Sequence, residues 1–535
     1  MFDSTALPRN DFRVRRFIIL WIALLTASHV HAAGKAEHVV VIVWDGMRPD
    51  FISQEHTPTL WQMARDGVMF TNHHAVYPSS TEVNGTAIAT GAYPGHDGIV
   101  ANKEYRPAIN VLTNLDTQDI KTIRKGDEVS NGHYILFDTV AETLQAAGKT
   151  TAIVGSKPVA QLHDRRDRTN AISGVVFEGK SLPASLQDTL TNLLGQFPAS
   201  EKNESPFPNE KRDEWSTRAL TDVLWSNNVP AYSLLWLCDP DFSQHPAAPG
   251  APKSLAAIES CDRKLAEVFA ALDQHHLRDK TDVFVVSDHG FSSINRKVDT
   301  CEDLTKAGFD AYRAFPAPPK PGQVMVNGVG GSVLFYVIGH DAAIIQKLVA
   351  FLQKQDYAGV IFAKKELPGA FKLSDVEANS PNAPDVLMSM RWSNGLSKLG
   401  VPGLLTLDGV RTSTGVTLGS HASLSHFDMH NTLVGIGPDL KSGFIDTYPT
   451  GNTDLAPTIL WLLGVKPSQS LDGRVLSEAL TVPAPNVGEP KTRRLEATTK
   501  DPAWSQYLQI SRVNHTLYFD EGNAISPANS NQGRP

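Results

Sequence analysis

The chain has 535 residues, of which 41% are hydrophobic and 20% are charged, and its formal net charge is −8. This length and composition indicate a soluble globular protein with a large core, not a disordered or fibrous chain. The acidic balance argues against binding to a nucleic-acid polymer, because phosphate backbones are bound by basic surfaces.

Residues 1–32 are expected to be an export signal. Arg13, Arg15 and Arg16 precede the apolar run FIILWIALLTA, and the small residues Ala32 and Ala33 follow it. A positive region, a short hydrophobic region and a small-residue cleavage site are typical of a secretory signal peptide. The run is shorter than the ~20 apolar residues that span a bilayer. We therefore expect cleavage near Ala32, a periplasmic or secreted protein and no membrane span afterwards, with an uncleaved anchor as the alternative.

The mature chain alternates strand-like and helix-like segments. Apolar, β-branched runs predict strands at His38 to Trp44, Thr151 to Gly155, Ala231 to Leu237, Val283 to Ser287, Ser332 to Ile338, Asp385 to Met390 and Thr432 to Ile436. Helical patterns occur at Thr59 to Arg65, Phe137 to Ala147, Asp213 to Trp225, Ser254 to Leu272, Ala342 to Gln353 and Asp454 to Leu463. This alternation predicts an α/β fold with a doubly wound, mostly parallel central sheet and helices on both faces.

Three carboxylates follow predicted strands, which is the pattern of a ligand site. Asp45 follows VVVIVW, Asp241 lies shortly after the strand that ends at Leu237, and Asp288 follows VFVVS. Ligands of open parallel sheets bind outside the carboxyl ends of the strands, so these side chains are expected to converge. Taken alone, Asp45 is equally well explained as a helix N-cap.

Histidines accompany two of these carboxylates. His245 lies four residues after Asp241, which places both on one face of a helical turn, and His289 directly follows Asp288. A solvated loop pair is the alternative for the second pair. Oxygen and imidazole ligands without thiolates suit zinc or a similar divalent metal.

The last histidine ligand has three candidates. His421, in LGSHASLSHFDMH, lies in a loop ahead of the strand-like run NTLVGIG and is favoured over His426 and His430. His426 is interpreted as a supporting partner or an ordinary polar loop residue.

The chain has three cysteines, Cys238, Cys261 and Cys301. Export would permit one disulfide and leave one thiol, and the sequence does not choose the pair. A metal role for Cys238 is less favoured than a small buried residue at a strand end, because oxygen and nitrogen ligands already suffice.

Thr81 is the candidate nucleophile. It lies in YPSSTEVNGTAIATG, and the segment after it has a helical pattern, so Thr81 is expected near a helix N-terminus. There the backbone N–H groups and the helix dipole favour a phosphoryl anion. A threonine hydroxyl needs a base or a metal to become an alkoxide, and taken alone this residue would be interpreted as a helix cap.

In combination, the ordered motifs resemble the alkaline phosphatase superfamily, specifically its branch of nucleotide pyrophosphatases and type I phosphodiesterases. The resemblance spans roughly Val39 to Leu463. It implies two divalent ions, most simply zinc, with the first held by Asp241, His245 and His421 and the second by Asp45, Thr81, Asp288 and His289. It also implies a phospho-threonine intermediate at Thr81 and a hydrogen bond from Asn102 to a phosphoryl oxygen.

Two departures from the family bear on the substrate. Nucleotide pyrophosphatases typically follow the nucleophile with Phe-Pro-Asn, in which the phenylalanine stacks on the base, whereas this chain has Glu82-Val83-Asn84. Phosphomonoesterases of the branch carry a lysine and an arginine, two residues apart, over the phosphate. Lys157 matches the lysine and is a candidate phosphate contact, with a surface charge as the alternative, but Val159 replaces the arginine.

The resemblance therefore implies an exported two-zinc hydrolase that cleaves phosphodiester or pyrophosphate bonds of a small phosphate-ester substrate. The alternative is a periplasmic phosphomonoesterase of the alkaline phosphatase type with the same metal site. A non-catalytic binding module is least favoured, because no ligand or nucleophile is missing. Sulfatases share the fold, but the chain lacks their C/S-x-P-x-R motif.

The hydrolase domain is expected to span residues 36–480. An insertion at about residues 295–415, which includes the Pro- and Gly-rich run FPAPPKPGQ, is expected to form a cap sub-domain over the metal face. Residues 481–535 are expected to be a C-terminal tail, with a hairpin around Asn514 and a polar, disordered end.

Overall fold

The computed structural model describes residues 34–166, 173–199, 208–409, 417–500 and 503–525. The proposed signal peptide, the last residues of the cap insertion and the polar end of the chain lie outside these ranges. Within them, no helix is both long enough and apolar enough to cross a membrane.

A nine-stranded sheet forms the centre of the fold. From edge to edge its strands are Phe444–Asp446, Val68–Phe70, Leu433–Ile436, Thr281–Val286, His38–Trp44, Tyr232–Leu237, Thr151–Gly155, Ser173–Phe177 and Lys180–Leu182. The middle of this order, from Thr281–Val286 to Ser173–Phe177, is entirely parallel. Antiparallel pairs occur on both sides of this block. The prediction of a mostly parallel central sheet is confirmed.

Helices cover both faces of this sheet, as alternate residues of its central strand show. Val39, Val41 and Val43 share one apolar core with Leu455 and Ile459. Val40, Ile42 and Trp44 belong to a second core that contains Ile258 and Leu265. Strands buried on both faces are continuous apolar runs instead of alternating ones, which is why the sequence identified them.

The α-helices of the described chain are Pro58–Asp66, Thr81–Thr90, Pro94–Asp97, Ile120–Ser130, Val140–Ala146, Ala160–His163, Leu186–Leu194, Pro208–Arg218, Asp241–Ala247, Pro252–Gln274, Thr300–Lys306, Ala342–Leu352, His426–Met429 and Leu455–Leu462. A π-helical turn, Ala219–Leu224, continues Pro208–Arg218. The predicted helix at Asp213 to Trp225 therefore begins earlier than expected and changes its winding before it ends.

A second sheet is built from the insertion. Its six strands are, in order, Ala311–Tyr312, Val324–Gly328, Ser332–Val337, Val386–Met390, Ala358–Ala363 and Phe371–Lys372. Its central pairs are antiparallel. A further small sheet contains Trp392–Leu396, Pro402–Asp408, Ser292–Val298 and Gly419–Ser420, and the last of these strands leads directly to His421.

The C-terminal residues form a three-stranded antiparallel sheet, Lys491–Thr499, Trp504–Val513 and Thr516–Ile525. Asn514 lies in the turn between the last two strands with φ 54°. The Gln506 side chain bonds both the N–H and the carbonyl of Ile361, at 2.8 and 3.0 Å, which joins this sheet to the second sheet. The proposed division of the chain at residue 480 stays a prediction.

Candidate active site

The candidate ligands meet at one edge of the central sheet. Asp45, Asp241 and Asp288 each follow one of three adjacent parallel strands, His38–Trp44, Tyr232–Leu237 and Thr281–Val286. The carboxyl ends of these strands therefore deliver three carboxylates to the same place, where all three are buried.

Thr81 is the first residue of the helix Thr81–Thr90 and is buried. Its Oγ1 lies 3.2 Å from His289 Nε2 and 3.4 Å from Lys157 Nζ. The adjacent backbone N–H of Glu82 donates to Asn102 Oδ1 at 3.1 Å, so Asn102 keeps its Nδ2 as the donor for another partner. The structure thus brings the proposed nucleophile, Asn102 and Lys157 to one helix N-terminus.

Three histidines present Nε2 to the site, because their Nδ1 atoms bond backbone carbonyls. The Nδ1 atoms of His245, His289 and His421 lie 3.1, 2.8 and 2.9 Å from the carbonyl oxygens of Gly419, Gly290 and Ser79 respectively. A carbonyl only accepts, so each Nδ1 carries a proton and each neutral ring keeps its lone pair on Nε2. Burial lowers the pKa of His289 to about 3 and that of His421 well below its usual value, which keeps both rings in the metal-binding form.

One oxygen of each aspartate has no hydrogen-bond partner among the described residues: Asp45 Oδ1, Asp241 Oδ1 and Asp288 Oδ2. Asp241 Oδ1 lies 3.3 Å from His245 Nε2 and 3.5 Å from His421 Nε2. Asp288 Oδ2 lies 3.2 Å from His289 Nε2. Buried carboxylate oxygens are costly without a partner, and converging oxygen and nitrogen lone pairs are the donor set of a zinc-like cation. The residues therefore fit bound divalent metal.

Two groups of potential ligand atoms can be distinguished, each with all its atoms within 4.8 Å of one another. The first contains Asp241, His245 and His421, and the second contains Asp45, Asp241 and His289. Asp241 belongs to both groups, so its carboxylate lies at their junction. The assignment of individual residues to two ions stays a prediction.

Burial is the main cause of the altered carboxylate pKa values in the site. It raises the pKa of Asp288 to about 7 and the pKa of Asp45 well above its usual value, and repulsion from Asp288 adds to the latter. Burial also opposes ionisation of Asp241, but attraction by the Lys157 ammonium holds the pKa of that carboxyl well below its usual value. A bound cation would relieve the repulsion between these carboxylates.

Lys157 is a buried cation, and its interpretation as a surface charge is wrong. It follows the strand Thr151–Gly155, and its side chain is 6% exposed. Its Nζ lies 2.8 Å from Asp45 Oδ2 and 3.1 Å from Asp241 Oδ2. Val159, which replaces the expected arginine, belongs to the apolar core below the site. The phosphate contact of Lys157 stays a prediction.

Glu82 is buried and directly follows Thr81 in the helix Thr81–Thr90. Its Oε2 has no hydrogen-bond partner among the described residues. Burial, with a smaller contribution from Asp116, raises the pKa of Glu82 to about 8. The carboxyl is therefore mostly protonated at neutral pH, which weakens the repulsion of phosphate that its sequence position suggests.

Several residues that orient the site were missed in the sequence. Trp236 Nε1 donates to Asp45 Oδ2 at 2.8 Å, and Asn452 Nδ2 donates to the carbonyl of Asp288 at 2.6 Å. No local pattern marks them, because each contact joins distant segments. Gly46, which directly follows Asp45, has a φ of 72° that glycine adopts readily, and its N–H donates to Asp288 Oδ1 at 3.0 Å.

The competing histidines and the cysteines lie outside the two groups. His426 Nδ1 is 3.1 Å from Glu521 Oε2, and the ring of His430 packs on that of His74 with centroids 4.4 Å apart. All three cysteines are unpaired, and Cys238 is buried.

Comparison with known proteins shows which family resembles the chain. The family model for type I phosphodiesterase / nucleotide pyrophosphatase matches residues 39–396. Human ectonucleotide pyrophosphatase/phosphodiesterase family member 7 is 21% identical over 466 residues, which is 86% of this chain and 88% of that protein. Venom phosphodiesterase CdcPDE of Crotalus durissus collilineatus is 22% identical over 277 residues, or 50% of this chain and 28% of the venom protein.

The fold is also similar to a solved structure. Murine ectonucleotide pyrophosphatase / phosphodiesterase 5, an inactive variant in complex with AMP, matches with a TM-score of 0.57 and 16% identity over 83% of this chain and 100% of that chain. The fold comparison confirms the alkaline phosphatase-like α/β architecture. Because the family model matches well over half of its length, the chain belongs to the type I phosphodiesterase / nucleotide pyrophosphatase family and is a phosphoric ester hydrolase.

Proposed function

We propose that the chain is an exported two-zinc hydrolase that cleaves phosphodiester or pyrophosphate bonds through a phospho-threonine intermediate. The observation that carries this proposal is the position of Thr81. Its hydroxyl lies at a helix N-terminus, within 3.2 Å of His289 Nε2, beside three buried carboxylates that each leave one oxygen without a partner. An activated hydroxyl and an anion-binding helix end are the parts that phosphoryl transfer needs.

The donor set supports two divalent ions. Asp241, His245 and His421 would hold one ion. Asp45, Thr81, Asp288 and His289 would hold the other, since His289 Nε2 lies 3.7, 3.2 and 3.2 Å from Asp45 Oδ1, Asp288 Oδ2 and Thr81 Oγ1 respectively. When bound, such ions lower the pKa of the nucleophile and neutralise charge on the attacking and leaving oxygens.

The residues of the chain would then act in two displacements. In the first, the Thr81 hydroxyl loses its proton to solvent as Oγ1 bonds to phosphorus, and the leaving oxygen departs with the electron pair of its bond and is protonated by water if it is basic. In the second, water bonds to phosphorus and loses a proton, and the bond between phosphorus and Thr81 Oγ1 breaks, which restores the threonine hydroxyl and releases the phosphate. Asn102 Nδ2 and the first N–H groups of the helix would bind the non-bridging oxygens. Lys157 Nζ, 3.4 Å from Thr81 Oγ1, would offset the charge of the phosphoryl group.

The cation arrangement favours a diester over a monoester. Lys157 is buried next to Thr81, but its expected arginine companion is the apolar Val159. One buried cation suits a monoanionic phosphodiester, whereas a dianionic monoester needs more compensation. A single cation would also suit a weakly held monoester, so a phosphomonoesterase with the same metals is the second candidate.

The first test compares two chromogenic esters. We expect kcat/KM for bis-p-nitrophenyl phosphate to exceed that for p-nitrophenyl phosphate by about tenfold, since one missing charged contact is worth about 1.4 kcal/mol. The Lys157→Met variant should lower kcat/KM for both esters while zinc content is retained. A faster wild-type monoester reaction would overturn the diesterase proposal in favour of the phosphomonoesterase.

Export is proposed from the signal-peptide pattern in residues 1–32. Intact-protein mass spectrometry of the enzyme purified from the periplasm or medium should give a mature chain that begins near Ala33. Recovery of the protein only in membranes, with Arg13 to Arg16 still present, would support the uncleaved anchor instead.

A further inference from the structure

A third group of potential metal ligands lies where the C-terminal sheet meets the main body. His74 lies on the short strand His73–His74, His430 directly follows the helix His426–Met429, and Asp520 lies on the strand Thr516–Ile525. One ligand atom from each of these three residues lies within 4.8 Å of the other two. We propose that His74, His430 and Asp520 bind a third, zinc-like divalent ion that fastens the C-terminal sheet to the hydrolase body.

The hydrogen bonds of His74 leave a lone pair facing a carboxylate. His74 Nδ1 lies 2.9 Å from the carbonyl oxygen of Thr450, so this nitrogen carries a proton. In the neutral ring, His74 Nε2 then directs its lone pair at Asp520 Oδ1, 3.0 Å away. Two acceptors at this distance need a shared proton or a cation, and a metal ion meets that need at this buried position.

The spacing is that of ligands on one ion. Two atoms bound to a tetrahedral zinc at about 2.0 Å lie about 3.3 Å from each other. The distance between His74 Nε2 and Asp520 Oδ1 is close to this value, as is the 3.3 Å between Asp241 Oδ1 and His245 Nε2 in the active site. The ligand atom of His430 lies within 4.8 Å of these two atoms, so its ring would move closer to them when an ion binds.

His430 supplies the third nitrogen. Its ring makes no hydrogen bond to another described residue in the structure, and it packs against the His74 ring at a centroid distance of 4.4 Å. Burial and the neighbouring His74 hold the pKa of His430 well below its usual value, so the ring is neutral and keeps a free lone pair. A neutral imidazole with a free lone pair is the usual histidine ligand.

The surroundings complete the site in two ways. Ser511 Oγ donates to both oxygens of Asp520, at 3.2 and 3.0 Å, and together with the Thr450 carbonyl it fixes the ligand orientations. A polar cavity of about 410 Å³, lined in part by His430, Asp520 and Glu521, adjoins the group and provides room for water as a fourth ligand.

An ion at this position would join three separate segments of the chain. His74 lies on the segment that leads to Thr81, where the Val76 N–H donates to Asn84 Oδ1 at 2.7 Å. Asp520 belongs to the C-terminal sheet. The ion would therefore stabilise the fold, and it would take no part in the reaction at Thr81.

The test counts zinc in a background without the catalytic ions. The full mature chain carrying Asp241→Asn and His289→Gln is saturated with zinc, dialysed and measured by mass spectrometry. We expect about one zinc ion per chain in this background and none after His430→Gln is added. The matched control is His426→Gln, a histidine of the same cavity that pairs with Glu521, and it should leave the zinc in place.

A second measurement uses the otherwise wild-type chain. We expect zinc content to fall by about one ion per chain in both His430→Gln and Asp520→Asn, with turnover of bis-p-nitrophenyl phosphate retained. Unchanged zinc content in these two variants would overturn the proposal and leave His74 and Asp520 as an ordinary ion pair. Loss of turnover in Thr81 variants would not bear on this result, so the two proposals fail independently.

Discussion

Replacing Thr81 with alanine is expected to lower kcat/KM for bis-p-nitrophenyl phosphate by about 10⁴-fold or more, while about two zinc ions per chain remain in the active site. The variant removes the hydroxyl that lies 3.2 Å from His289 Nε2 and is the proposed nucleophile. Alanine is a good helix former, so the helix Thr81–Thr90 should stay intact.

The matched control is Thr81→Ser, which keeps a hydroxyl at the same helix position. It should retain turnover within about tenfold, since only the methyl group is lost. Acid quenching of wild-type turnover should trap phosphate on the peptide that contains Thr81, and on no peptide of the alanine variant. Full turnover by Thr81→Ala would show that another group, or water directly, attacks phosphorus.

Most of the central sheet could be predicted from the sequence because its strands are buried on both faces. Apolar runs such as VVVIVW and TDVFVV are compatible with few structures other than a buried strand. The structure places each predicted strand within two residues of its expected bounds. The helix Pro208–Arg218 began earlier than expected because its first turns, PNEKRD, are polar and show no apolar stripe. The strand Lys491–Thr499 was missed for a related reason, since it is largely exposed and depends on pairing with Trp504–Val513.

Only those site residues that belong to a recognisable sequence motif could be predicted. Residues at strand ends, such as Asp45 and Asp288, carry a signal in the preceding apolar run. Lys157 was a candidate phosphate contact through the resemblance, but its burial and its contacts with Asp45 and Asp241 could not be predicted, because they join segments that are distant in the sequence. Trp236 lies within an apolar run that predicts only a strand, yet its indole N–H donates to Asp45. Such contacts are set by tertiary packing, which one sequence does not reveal.

The buried charges of the site interact with one another, so the loss of one of them is expected to affect the others. Asp45, Asp241 and Asp288 are buried together, with the Lys157 ammonium as a close cation. Burial of this many carboxylates is unfavourable unless each oxygen is paired or bound to a cation. Two of these carboxylates are held by hydrogen bonds from other residues: Trp236 Nε1 donates to one oxygen of Asp45, and the Gly46 N–H donates to one oxygen of Asp288. The second oxygen of each carboxylate faces the histidines.

Asp241 is the residue whose loss should affect both metal groups at once. Its Oδ1 lies 3.3 Å from His245 Nε2 and 3.5 Å from His421 Nε2, and the carboxylate also belongs to the group with Asp45 and His289. We expect Asp241→Asn to lose both active-site zinc ions and to lower kcat/KM by about 10⁴-fold, because an amide is a weak ligand and brings no charge. Metal analysis and the diester assay measure the two effects on the same sample.

The matched control for this substitution is Asp239→Asn. Asp239 is also buried, but its Oδ1 accepts from the Ser243 N–H and from Asn209 Nδ2, at 3.1 and 3.3 Å, and an asparagine oxygen can accept both bonds. This variant should keep both zinc ions and most of the turnover. If Asp241→Asn loses one zinc ion only, Asp241 serves a single ion and the second group depends on Asp45, Asp288 and His289 alone. If it keeps both ions, Asp241 is not a ligand, and its low pKa reflects its contact with Lys157 and not a metal role.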